Sequence, residues 1–180
     1  MKTAKEIAVI SVFLALLIGG QFVLSGVSGI EVVTVLFISF CFYFGIYRGF
    51  ILATSFSLLR CFVFGFFPNI VILYLVYYNL VAVIFGLIGN KFNKTVNVKQ
   101  LIIVVLVSAL TTFLFTMLDN VITPLFYSFT LTATKVYFMA SLTTMIPQII
   151  CAVITVALFF IPLLKIYKTV KIPVKSSQNN

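Results

Sequence analysis

The sequence predicts an all-α membrane protein, a bundle of six transmembrane helices with both termini in the cytoplasm. Three observations predict it. Hydrophobic residues make up 63% of the 180-residue chain and charged ones only 8%, whereas soluble domains run at about half apolar and about a quarter charged. The apolar residues fall into runs close to the roughly 20 that a helix needs to cross hydrocarbon. These runs, Leu101–Val107 for example, lack the polar–apolar alternation of barrel strands. The charges are gathered between the runs, and most of them are basic.

Six segments follow in order: 5–24, 31–47, 50–67, 70–89, 99–118 and 137–163. Lys2 and Lys5 precede the first, and the five later spans argue that it is retained rather than cleaved as a signal peptide. The glycine-rich stretch Gly26-Val27-Ser28-Gly29 turns the chain into the second. Arg48 marks the next connection, and Pro68-Asn69 the turn between the third and fourth segments. Lys91, Lys94 and Lys99 lie between the fourth and fifth. The connection 119–136 is the one long link and a candidate lid, and Pro147 is expected to interrupt the sixth helix. Residues 1–170 are read as one six-helix transmembrane domain, and 171–180 as a disordered cytoplasmic tail.

Six crossings put ten of the twelve basic residues on one side: Lys2, Lys5, Arg48, Lys91, Lys94, Lys99, Lys165, Lys168, Lys171 and Lys175. The positive-inside rule makes that side cytoplasmic. Charge held in this way belongs to membrane topology, so no nucleic-acid partner is expected despite the net +9.

The first helix carries a stripe of small residues: Ala4, Ala8, Ser11, Ala15 and Gly19 fall within roughly 80° of arc at helical spacing. Such stripes let helices approach closely in lipid. The stripe either packs on a helix of the same chain or serves as a docking face for another membrane protein. On the sixth helix Ser141, Thr144, Gln148, Cys151 and Thr155 form a polar face. It bonds neighbouring helices or lines a cavity. The fifth turns Ser108, Thr112 and Asp119 to one side, and the fourth carries Tyr74, Tyr77 and Tyr78 on one face, readable as an aromatic belt or as part of a pocket.

Arg60 is the most informative single residue. It falls inside the third segment, roughly 10 Å from the outer end, where a guanidinium is costly and marks a functional site by default. Glu31 and Asp119 are the acids on the same side. Arg60 either bridges to one of them or grips an anionic or carbonyl-bearing ligand. The candidate substrate-binding residues are Glu31, Arg60, Asn69, Tyr74, Asp119, Asn120, Tyr127, Lys135 and Gln148. Phe66, Phe67, Phe126 and Tyr137 lie around them. A few polar groups among aromatic ones suit a small-molecule pocket. The chain has no His, and Cys41, Cys61 and Cys151 lack ligand spacing, so no metal, cofactor or enzymatic activity is expected.

Ser11-Val12-Phe13-Leu14-Ala15-Leu16, Gly29-Ile30-Glu31-Val32-Val33-Thr34, Phe64-Gly65-Phe66-Phe67-Pro68-Asn69 and Ile122-Thr123-Pro124-Leu125-Phe126-Tyr127 give nearly the whole chain a family likeness. It resembles the substrate-binding S components of energy-coupling factor (ECF) transporters. The resemblance implies a bacterial plasma-membrane subunit that captures a vitamin or related micronutrient at the outer face. It also implies a transmembrane coupling protein and two ATPases as partners. In that family an alanine-x-x-x-alanine motif on the first helix contacts the coupling protein; Ser11 and Ala15 match it here, with serine in the first place. Ala8 and Gly19 extend the face. The Glu31 stretch is closest to cobalamin-type members, some of which carry an acidic residue where Arg60 stands. The alternative readings are a self-sufficient carrier or channel, and a structural subunit without ligand.

Overall fold

The computed structural model describes residues 4–26 and 32–169. Glu31 and the expected tail at 171–180 lie outside the described residues. Seven helical elements follow one another: α1 (Ala4–Leu24), α2 (Val33–Phe44), α3 (Ile46–Leu59), α4 (Cys61–Phe64), α5 (Pro68–Lys91), α6 (Val98–Phe126) and α7 (Leu131–Thr169). No strand occurs among the described residues. Among the described residues, five helical segments are long and apolar enough to cross a membrane, α3 and α4 counting as one, Ile46–Phe64. The chain is therefore a multi-pass membrane protein.

The sixth expected span behaves differently. α2 has twelve residues, a length of about 18 Å against the ~30 Å of hydrocarbon. Ten of its residues are buried, among them Phe37, Phe40, Cys41 and Phe42 with no exposed surface. A helix that is apolar on all sides can be buried on all sides, and α2 is the centre of the core, packed against α5, α7 and α3. Thr34 in its first turn lies level with Tyr77 and Tyr78, about ten residues along α5. Below that level six helices share the bundle, and above it the described helices number five.

Glycine makes the lower half compact. Gly45, at φ 87°, turns α2 into α3 in a single residue. A side chain on Gly89 would strike the Phe42 carbonyl, and one on Gly86 would strike the Ile46 backbone. The α2–α3 turn thus rests directly on the backbone of α5. Aromatic edges fill the remaining space: Phe13 contacts Phe40 and Tyr167, and Phe42 meets Phe160. Ser39 and Tyr167 share a buried 2.8 Å hydrogen bond across α2 and α7. At this end Arg48 pairs with the buried Glu6, tying α3 to α1. Lys94 sits close by in the 92–97 connection. Its ammonium is held below the usual lysine value first by burial and then by the Arg48 charge.

Two expectations are corrected at the other end. Residues 119–136 are not a lid loop: α6 runs to Phe126, α7 begins at Leu131, and only 127–130 connect them. The polar residues that suggested a loop bond sideways to α5 and α7, so the helix continues through them. Pro147 does not break α7, which runs unbroken through both Pro147 and Pro162. α7 also outruns the expected 137–163. It buries Ala152, Val156, Phe160, Leu164 and Tyr167 in the bundle, while none of its first twenty residues is fully buried.

Candidate functional site

The ends of α1, α3 and α6 and the starts of α5 and α7 meet at the end opposite Lys94. The first cluster there forms around Arg60, at the break between α3 and α4. Arg60 is 9% exposed. Its Nε donates to Gln21 Oε1 on α1 at 3.2 Å. Gln21 Nε2 donates in turn to the Tyr74 hydroxyl at 2.9 Å. The guanidinium carbon lies 4.2 Å from the centre of the Tyr74 ring and 4.8 Å from that of Phe64. Arg60 makes no ion pair among the described residues, so the expected bridge to Asp119 is absent. A desolvated cation between ring faces gains from their negative quadrupoles.

Asp119 organises the second cluster. Its carboxylate accepts from Thr123 Oγ1 and from the Tyr137 hydroxyl, each at 2.7 Å. Thr123 accepts from Asn69 Nδ2 at 3.1 Å, and Asn69 Oδ1 accepts from the Tyr127 hydroxyl at 3.2 Å. The donors run in one direction, Tyr127 to Asn69 to Thr123 to Asp119, as a chain ending on an anion should. Tyr127 stacks on Phe129, whose ring meets Tyr137 edge-on, closing the corner. Asp119 thereby ties α6 to α7 directly and to α5 through Thr123 and Asn69.

Between the two clusters runs the interior face of α6. Ser108, Thr112, Thr116 and Asn120 recur every four residues and are all buried. Ser108 and Thr112 return their hydroxyl protons to carbonyls of their own helix. Thr112 and Phe115 line a small cleft with Thr34, Tyr77 and Tyr78. Tyr74 and Tyr77 both pack edge-on against Phe115. All three tyrosines of α5 are buried inside the bundle, so they do not form a lipid-facing belt, and Tyr77 and Tyr78 line the cleft. Further along, Asn120 Nδ2 donates to Ser141 Oγ on α7 at 2.8 Å.

The expected residues thus divide. Arg60 and Tyr74 are brought together, as are Asn69, Asp119 and Tyr127, with Asn120 beside them facing α7. Lys135 is exposed in the first turns of α7, and Gln148 is half-buried two turns beyond Ser141. Gln21, Thr34, Thr116 and Thr123 lie among these residues and were not expected there, whereas Ser141 joins them from the expected polar face of the sixth helix. The four-residue recurrence of hydroxyls from Ser108 was the available signal for Thr116, and Thr123 lies four residues, about one turn, beyond Asp119. Gln21 offered only itself, the one amide in α1.

The small residues of α1 point the other way. Glu6, Ile10, Phe13 and Leu17 form its buried face, and Ala4, Ala8, Ser11, Ala15 and Gly19, all exposed, lie on the opposite side of the helix. Among the described residues the stripe does not pack on a helix of its own chain.

Comparison with protein-family models, with curated proteins and with solved structures returned no match for this chain.

Proposed function

We propose that this chain is the membrane-embedded substrate-binding subunit of an ATP-driven importer of the ECF type. In this reading it captures a micronutrient at the outer face of a bacterial plasma membrane. A transmembrane coupling protein driven by two ATPases then carries the ligand inward. The observation that carries the reading is the free small-residue face of α1. A helix that keeps alanine, serine and glycine outward, away from its own bundle, suits close backbone contact with another membrane helix.

Further support comes from the two unlike ends. Lys5, Arg48, Lys91, Lys94, Lys99, Lys165 and Lys168 all belong to one end, which the positive-inside rule assigns to the cytoplasm together with both termini. The opposite, outer end carries the buried guanidinium, the tyrosine wall and the cleft. The lower half between them is tightly packed and, among the described residues, holds no chain of ionisable groups, which disfavours a self-sufficient carrier. Nothing in the arrangement calls for bond-breaking chemistry. Release follows if the whole bundle tips when the coupling protein moves, and small-residue contacts suit repeated docking and separation.

The test is co-purification of the tagged chain from its native membranes in mild detergent, with Ala15→Trp as control. Recovery of a membrane coupling protein and two ATPases with the wild type, and their loss with a well-folded Ala15→Trp, is the expected result. Recovery of the bundle alone from both would move the protein to the carrier or structural readings.

A further inference from the structure

We propose that Lys94, with Arg48 behind it, holds the phosphate of an anionic phospholipid at the basic end of the bundle. The site lies at the opposite end from Arg60 and stands apart from the ligand reading above.

Packing brings the two cations together. Gly89, near the end of α5, sits against the Phe42 carbonyl. The Phe92 ring meets that of Phe42 at 6.4 Å. The Lys94 backbone N–H donates to the Gly89 carbonyl at 2.9 Å. The 92–97 connection is thus folded onto the turn from α2 into α3, and Arg48 stands in the first turn of α3. Arg48 is itself anchored: Nη1 donates to the Phe44 carbonyl at 3.4 Å, and Nη2 pairs with Glu6.

The charges do not balance there. Glu6 is the one acid at this end among the described residues, and it pairs with Arg48. The Lys94 ammonium has no hydrogen-bond or ion-pair partner among the described residues. It is half-buried, and burial and the Arg48 charge both work against its proton. Lys94 holds this position in left-handed backbone, at φ 58°, beside Asn93 at φ 49°. Residues other than glycine rarely adopt that conformation, and it persists only where the surroundings impose it. An anion lodged against ammonium and guanidinium replaces one repulsion by two attractions.

The surroundings select a lipid over a soluble anion. The face of α5 that leads to Lys91 carries Val76, Leu80, Val83 and Leu87, all exposed and three or four residues apart. On α3, Tyr47 and Phe50, on either side of Arg48, are exposed as well. Acyl chains lie against such surfaces, and basic groups at the ends of membrane helices meet anionic headgroups. A soluble phosphate gains nothing from the apolar faces.

Dioctanoyl phosphatidylglycerol, dioctanoyl phosphatidylcholine and inorganic phosphate are each titrated against the purified full chain in neutral detergent, with the thermal midpoint as readout. Phosphatidylglycerol is expected to raise the midpoint at concentrations about fivefold or more below those needed of phosphatidylcholine. Inorganic phosphate should leave it unchanged. Lys94→Gln should erase the difference between the lipids, and Lys94→Arg should keep it. Lys168→Gln, which removes an exposed cation at the same end, should keep it too. An equal response of the wild type to both lipids would overturn the proposal without recourse to any variant. A shift with inorganic phosphate as large as that with phosphatidylglycerol would make this a soluble-anion site and overturn the lipid. Equal loss in Lys168→Gln and Lys94→Gln would reduce the effect to net surface charge and overturn the role of Lys94. The importer reading stands or falls separately, on the co-purification.

Discussion

Arg60 and Tyr74 form a stacked pair, the guanidinium carbon 4.2 Å from the ring centre, and one amide, Gln21, holds both of them. The pair joins α3, α5 and α1 without a carboxylate among the described residues. That separates the energetics of Arg60 from those of an ordinary buried ion pair.

Arg60→Leu should therefore fold at least as well as the wild type. The ring contacts stabilise by about 0.5–2 kcal/mol, while a charge in a helix at mid-membrane costs about 2.5–3.5 kcal/mol. The thermal midpoint in detergent is expected to hold or rise as ligand uptake is lost. A fall of more than about 4 °C, roughly 1 kcal/mol or more for a chain of this size, would make Arg60 a structural residue.

Asp119 should behave in the opposite way. Asp119→Asn weakens the acceptor for two hydroxyls, and hydrogen bonds to a charged group contribute about 1.5–3 kcal/mol. Tyr137→Phe removes one of those bonds. The two changes should not add in a double-mutant cycle, because both act on the same contact. Strict additivity would mean that the Asp119–Tyr137 bond is not formed in the membrane.

Gly89 and Gly19 make a matched pair. Gly89→Ala forces a methyl group against the Phe42 carbonyl, backbone that cannot rotate away. At least the ~1–3 kcal/mol typical of overpacking is expected to be lost. Gly19→Ala meets nothing within 4 Å, and should be neutral or stabilise by about 0.5–1 kcal/mol through helix propensity. Yield and monodispersity in detergent report both; similar outcomes would dissolve the claimed close approach of α2 and α5.

Lys94 gives the chain a pH dependence of predictable sign. Its folded pKa is below its usual 10.5 because of burial and Arg48, so between the two values the unfolded chain binds the extra proton. Stability should be lowest, and constant in this respect, below the folded pKa. It should rise with pH from there up to 10.5. Lys94→Met should raise the thermal midpoint near neutral pH and lose that advantage in strongly alkaline buffer. An advantage independent of pH would remove the charge as its cause.

The helical class and the membrane solvent were legible because composition and run length report them directly. The pairing within the site was not. Asn69, Asp119 and Tyr127 could be gathered on one side by counting crossings, but which donor faces which acceptor depends on helix rotation. Hydropathy does not encode that rotation when every face is apolar. Arg60 was legible as a buried cation. Of the two acids expected beside it, Asp119 bonds elsewhere and Glu31 lies outside the described residues, while rings and an amide hold it among the described ones. The α6–α7 corner was misread as a loop: polar residues in the last turns of a helix look like a connection until neighbouring helices satisfy them.

The length of α7 has a consequence for how the protein lies in lipid. Its 39 residues extend for about 58 Å, nearly twice the ~30 Å of hydrocarbon, with exposed Leu131, Val136 and Met139 toward one end and Leu158 and Ile166 toward the other. An upright helix of that length would leave apolar turns standing in water. Hydrophobic mismatch of this size is relieved by leaning, or by drawing the bilayer up around the protein. A bilayer that holds α7 is thus one in which the helix leans or the lipid thickens around it.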